Sequence, residues 1–226
     1  MKKRLLSLIM AVMMVVVLVV PAAAATTDTT SDGTVTVYVT YGMFTEGGYD
    51  TAKKAPAKQA YNSDAAPTSD KINANFYINA YTLSINTIKT DYMATTQGLY
   101  GVPDTSVSYF KTPNLVDAIL AAFFENGIDI TDPNVVSAGW DDHPVVGNPG
   151  GYIHSVSPDV PKYNKTIKQT VDGVLYNIYS GSGWNIACGT SASNIKALDA
   201  YGTSTALTDG MIIVFDYSPY MIYDVL

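Results

Sequence analysis

The chain has 226 residues, with 13 Lys and Arg against 20 Asp and Glu, two His and a single Cys. That acidity excludes a nucleic-acid binder, one cysteine excludes an internal disulfide framework, and the shortage of His and Cys excludes a zinc protein.

Lys2, Lys3 and Arg4 precede an apolar run from Leu5 to Val20, and Pro21 leads into Ala22-Ala23-Ala24-Ala25. A basic end, a short apolar core and a small-residue cleavage site make up a secretory signal peptide, expected over residues 1–25. The apolar run of 16 residues falls short of the ~20 needed to span a bilayer, so it does not read as an anchor. Cleavage near Ala25 removes three basic side chains and no acid, which leaves 10 against 20 and a net charge near −10. An exported chain without disulfides fits bacterial export. Cys188 lies far from the cleavage site, which removes lipid attachment there. The expected location is extracellular, released or held peripherally at a bacterial cell surface, with no membrane span after signal cleavage.

Residues 26–33 read as a flexible Thr/Asp/Ser leader and 34–226 as a single domain. Thr34 to Thr40 alternates strictly, with Val35, Val37 and Val39 on one face and Thr36, Tyr38 and Thr40 on a wet one, which predicts a strand. Residues 46–70 show neither helical nor strand period and read as a long exposed loop, a common form for a binding element. From Ile72 alternation returns through Ala74, Phe76 and Ile78, then flips phase at Tyr81, Leu83 and Ile85, which predicts a bulge near Ala80.

One helix stands out. Thr112 reads as its cap, Pro113 suits its first turn and Gly127 its left-handed stop. Between them Leu115, Val116, Ile119, Leu120, Phe123 and Phe124 form a broad apolar stripe. The rest is strand and turn: Gly151 to Val156, then Thr166 to Val171 and Val174 to Tyr179 around an Asp172-Gly173 hairpin turn. A Ser180-Gly181-Ser182-Gly183 turn leads to Trp184 to Ala187, and Thr208-Asp209-Gly210 to Met211 to Tyr217. One helix across a mostly antiparallel sheet is an α+β layout, and its element order suits a β-grasp.

The run Gly150-Gly151-Tyr152-Ile153-His154-Ser155-Val156, the run from Ser180 through Gly183-Trp184-Asn185 to Gly189, and the run from Ala206 through Asp209-Gly210 to Phe215 carry a resemblance. Taken in that order around one helix, they resemble the transcobalamin C-terminal-like domain family of bacterial exported proteins, relatives of the soluble-ligand-binding β-grasp domains. The match covers roughly Thr34 to Tyr217. It implies a β-grasp and a ligand held by loops around the Gly-Trp strand. Cobalamin enters as a candidate ligand, although no helical toroid precedes the domain here and the insert at 46–70 is long.

The candidate ligand-binding residues are Tyr152, His154, Tyr179, Trp184 and Asn185, with Tyr152, Tyr179 and Trp184 as a flat platform. For Trp184 alone, a core anchor is the favoured reading. The 17 Tyr, several on wet faces such as Tyr38 and Tyr77, suit recognition of a partner or sugar but also suit strands. Asp129, Asp132, Asn134, Asp141, Asp142 and His143 offer oxygen ligands in a spacing that matches no calcium loop. His143 or His154 with Cys188 lacks an orienting third group, and no hydrolase elbow, phosphate loop or zinc helix is present. The expectation is therefore a secreted, non-enzymatic binding module without metal or cofactor, engaging a small ligand or a surface protein or glycan. The alternative is a structural or adhesive surface protein that pairs through a sheet edge or Tyr face.

Overall fold

A computed structural model describes residues 32–65, 76–101, 112–141, 150–156, 164–198 and 201–226. Strands β1 (Thr34–Tyr41), β2 (Gly48–Asp50), β3 (Ala55–Ala57) and β4 (Ile78–Ser84) are followed by helices α1 (85–99) and α2 (Leu115–Glu125). Six more strands follow: β5 (Val136–Asp141), β6 (Gly150–Val156), β7 (Asn164–Val171), β8 (Val174–Gly189), β9 (Lys196–Ala197) and β10 (Met211–Val225). The protein is a mixed α+β fold, mostly sheet.

The main sheet runs β4-β1-β10-β8-β7, with β9 on the edge of β8. Its central pair, β1 and β10, is parallel, and every other pairing in it is antiparallel. Alternation puts Val35, Val37 and Val39 of β1 level with Met211, Ile213 and Phe215 of β10, all on the face that carries the helices. The expected bulge is present. Val37 pairs with Tyr81 but Val39 with Ile78, and Ala80 takes the left-handed backbone with φ 68°.

Helix α2 lies at the centre of the core, with every residue from Leu115 to Phe123 buried. Its cap is Asn114 rather than Thr112. The Asn114 side chain accepts from the N–H groups of Val116 and Asp117, and the Asp117 carboxylate accepts from the Asn114 N–H at 3.0 Å, a reciprocal capping box. Gly127 makes the stop at φ 77° as expected, but Phe124 turns outward, half-exposed beside Tyr92. The helix is buried all round because the sheet covers one side while α1 and the β5–β6 hairpin contribute to the same core.

Other differences from the sequence reading follow from tertiary context. Helix α1, absent from that reading, holds Ile88, Thr96 and the following Tyr100 in the core and contains a π-helical stretch, Ile88–Tyr92. Ser180 to Gly183 is no turn. It lies inside the unbroken β8, where Ser180 and Gly181 pair with both β7 and β10, and Ser182 and Gly183 pair with Pro219 and Ser218. The insert at 46–70 is not irregular throughout, because β2 and β3 form a small hairpin whose turn is fixed by Asp50 accepting from the N–H groups of Ala52 and Lys53. The expected strand start at Ile72 to Asn75 lies outside the described residues. The hairpin about Asp172 and Gly173 forms with both residues at positive φ, and Tyr49 from β2 donates a 2.8 Å bond to the Asp172 carboxylate.

Candidate functional site

The sheet face turned away from the helices carries Tyr38 and Thr40 of β1, Asn185 and Ala187 of β8, and Ile212, Val214, Asp216 and Ser218 of β10. After β1 the chain crosses this face instead of leaving it. Asp216 causes the crossing: its carboxylate accepts from the Thr40 hydroxyl at 2.6 Å, from the Met43 N–H at 2.9 Å, and from the Ser218 hydroxyl. Ser218 in turn accepts from the Phe44 N–H at 3.2 Å. Asp216 is fully buried, and burial pushes its pKa up although these bonds favour the charged form.

The insert then returns over the same face. Thr45 N–H donates to Ala60 O at 2.9 Å and Asn62 N–H to Met43 O at 2.7 Å, which brings Tyr61 edge-on against Phe44. From the opposite side a short turn after β8 supplies Ala192 and Ile195, held by the Asn194 side chain accepting from Thr190 and Ser191 N–H, each at 2.8 Å. Between the two sits a cleft of about 210 Å³, floored by Ile212 and Val214 and walled by Tyr38, Tyr61, Met43, Ser63 and Ile195. Among the described residues no charged side chain lines it. Burial, and secondarily the charge of Asp216, push the Tyr61 pKa up, so its phenol stays a neutral donor. A second cleft of about 320 Å³ wraps the edge of β8 and is lined by Phe44, Lys58, Gln59, Asn185 and Leu198.

The five residues singled out from sequence fall in separate places. Asn185 lines the second cleft. Tyr179 and Trp184 are five positions apart in an unbroken strand and so project from opposite faces of β8. Trp184 is on the helix side, half-buried, stacked on Phe215 with centroids 4.4 Å apart and rings 8° from parallel, and edge-on to Tyr217. It is anchored to the core, as the favoured reading of that residue had it. Tyr152 and His154 lie on β6, 4.2 Å apart and on the opposite face of that strand from the core residue Ile153, with Tyr201 beside Tyr152. The platform of Tyr152, Tyr179 and Trp184 does not assemble.

Two catalytic or metal options also have their geometry. Burial pushes the Cys188 thiol pKa up, the opposite of the shift a thiolate nucleophile needs. Asp129 and Asp132 accept from Thr131 and Asn134 in local turns, while Asp142 and His143 lie outside the described residues. Among the described residues no group of three or more His, Cys, Asp or Glu is placed to hold a metal. Nor is any described helix long and apolar enough to cross a membrane.

The chain matches no protein-family model, and no curated protein or solved structure resembles it significantly. Its chemistry is therefore read from its own residues. Tyr38 was legible as a residue of a wet strand face, and the insert stood out as a long segment without period. Met43, Ile195, Ile212 and Val214 were not. Each reads as ordinary strand or loop until Asp216 draws the chain across the sheet, and a buried acid in an otherwise apolar strand was the one signal for that crossing.

Proposed function

We propose that this protein is an exported, non-enzymatic binding module that holds a small, uncharged, amphipathic ligand in the cleft between Tyr38 and Tyr61. The observation that carries the reading is the cleft itself: a sheet face fitted with two tyrosines, built by an insert that a buried carboxylate pins in place. Tyrosine offers a wide ring and one polar tip, which suits a ligand with an apolar body and a few hydroxyl or amide groups. Drug-sized ligands fill pockets of about 300–1,000 Å³. The cleft is smaller, so it fits a sugar- or nucleobase-sized molecule and offers no room for a whole corrinoid, and cobalamin is assigned no place in it.

A β-grasp core and kinship with the transcobalamin-like family belong to the same proposal. The parallel β1–β10 pair flanked by β4 and β8, with α2 over one face, supports the β-grasp. The Gly-Trp and Asp-Gly segments carrying the family resemblance become the neighbouring strands β8 and β10. Export and a place outside the cell or at its surface rest on the order of residues 1–25.

The test is a thermal-shift and calorimetric screen of neutral sugars, nucleosides and short amides. A hit that Tyr61→Ala weakens at least tenfold, with the fold intact by circular dichroism, supports the cleft. Turnover of an ester, glycoside or peptide substrate that is lost on substituting one carboxylate or Cys188 would overturn the non-enzymatic reading.

A further inference from the structure

The fold leaves most of its exposed apolar surface in one place. Apart from Phe124, the exposed large apolar side chains among the described residues are Ile167, Val174, Leu175, Ile222, Val225 and Leu226, all at the far end of the β7–β8–β10 ribbon, with Leu175, Ile222 and Leu226 on one face and Ile167, Val174 and Val225 on the other. Three cross-strand rows lie on the ribbon face that continues from Val214. They are Thr166, Tyr179 and Ile222; then Lys168, Asn177 and Asp224; then Thr170, Leu175 and Leu226, whose N–H donates to Leu175 O at 3.0 Å. The middle row is charged at both ends, basic on the outer strand and acidic on β10, with a neutral amide between. Lys168 and Asp224 form no ion pair with the described residues.

That charge order is self-complementary. A second copy related by a two-fold axis along β8, in the plane between two facing sheets, lays β7 of one copy over β10 of the other. Lys168 of each copy then meets Asp224 of the other, and Tyr179 and Leu175 meet their own equivalents on the axis. Strand addition at the outer edge of β7, which no described strand pairs, is disfavoured by Lys165 and Lys168 along it, since edge lysines oppose a further strand.

We propose that this ribbon face docks on the same face of a second copy of the chain. Three strands at ~4.8 Å and seven residues at ~3.3 Å give a footprint of roughly 300 Å². A standard stable interface takes about 800 Å² from each partner, so the pairing is weak and concentration-dependent. It rests on no property of the cleft, and ligand binding there neither supports nor opposes it.

Sedimentation velocity across a concentration series, on protein purified from cells expressing the full chain, tests the proposal. A monomer–dimer equilibrium is expected. Ile222→Asp, at a half-exposed position that tolerates a polar side chain, should weaken it more than tenfold, as should Lys168→Asp alone. The double swap Lys168→Asp with Asp224→Lys should restore association to within about threefold of the parent, because complementarity returns with reversed sign. A chain that stays monomeric at the highest soluble concentration overturns the proposal. So does a dimer indifferent to Ile222→Asp, or a double swap no better than the single one.

Discussion

Thr40 and Asp216 face each other across the parallel pair β1–β10, and the Thr40 hydroxyl donates a 2.6 Å bond to Asp216 Oδ1 where both side chains are shut away from water. The contact joins the end of the first strand to the last strand, 176 positions along the chain. It also fixes the start of the segment that roofs the Tyr38–Tyr61 cleft. Asp216→Ala leaves the Met43 N–H and the Thr40 hydroxyl without their buried acceptor, at a cost of roughly 2–4 kcal/mol in urea unfolding. Thr40→Val removes one hydroxyl and keeps the shape, so about 1 kcal/mol is expected. Equal costs for the two variants would show that Asp216 does not organise the crossing.

Asp216 and Asp117 also set an unusual pH dependence. Burial, above all, holds both carboxyls above their ordinary range, although each accepts several hydrogen bonds. The unfolded chain releases these protons near a pKa of about 3.9, and the folded chain only at higher pH. Within that window the folded state binds more protons, so this part of the stability is full at the acidic end and declines as pH rises through the raised pKa values. Asp50 and Asp129 are shifted down, mainly by the hydrogen bonds they accept from Lys53 and Thr131, and act in the opposite sense, but Asp129 is exposed and Asp50 partly so, and water screens both. The measurement is the stability difference between the parent and Asp216→Asn at about pH 4 and about pH 7. The parent's advantage should be larger at the acidic pH. An advantage that grows toward neutrality would mean Asp216 is ionised at little cost.

Local signals were legible and long-range ones were not. The Asp172-Gly173 turn, the stop at Gly127 and the phase flip at Ala80 each depend on a few neighbouring residues, and each appears where the sequence places it. Helix α1 was missed because Thr87, Thr90, Thr95, Thr96 and Gly98 are poor helix formers, and a π-helical stretch disturbs the apolar phase. Its one readable cue was Ser84, whose side chain accepts from the Thr87 N–H. The Ser-Gly-Ser-Gly run was misread because its composition suits a turn while pairing to β10 holds it extended. Tyr179 and Trp184 were grouped on one platform for the same reason, since a turn at 180–183 would have reset the alternation between them, whereas the unbroken β8 sends them to opposite faces.

The bulge gives a direct check on that local reading. Ala80 holds φ 68°, a conformation costing an L-residue roughly 1–2 kcal/mol that glycine avoids. It is exposed, so little packing is lost with its methyl group. Ala80→Gly should stabilise the protein by about 0.5–1 kcal/mol, against the usual penalty for glycine in a strand. Destabilisation by a similar amount in thermal or urea unfolding would place Ala80 in ordinary extended backbone and remove the bulge.

Gly151 and Gly183 separate two roles that composition alone does not distinguish. A Cβ on Gly151 would stand 2.8 Å from Tyr100 Cδ2 and 2.9 Å from Thr203 Cγ2. Neither neighbour gives way easily: Tyr100 is fully buried and donates to Asp117 at 3.0 Å, and the Thr203 hydroxyl accepts from the Gly151 N–H at 2.9 Å. Gly151→Ala should therefore cost roughly 1–3 kcal/mol and loosen the β5–β6 hairpin from the core. On Gly183 a Cβ meets only the Tyr220 ring, at 3.6 Å, an ordinary contact, and the backbone is extended. Gly183→Ala is expected to be neutral or to stabilise by up to about 1 kcal/mol, since alanine restricts the unfolded chain more than glycine does. A turn at this position requiring glycine would reverse that result, so the pair of substitutions, compared by urea unfolding, decides whether β8 runs unbroken past Trp184.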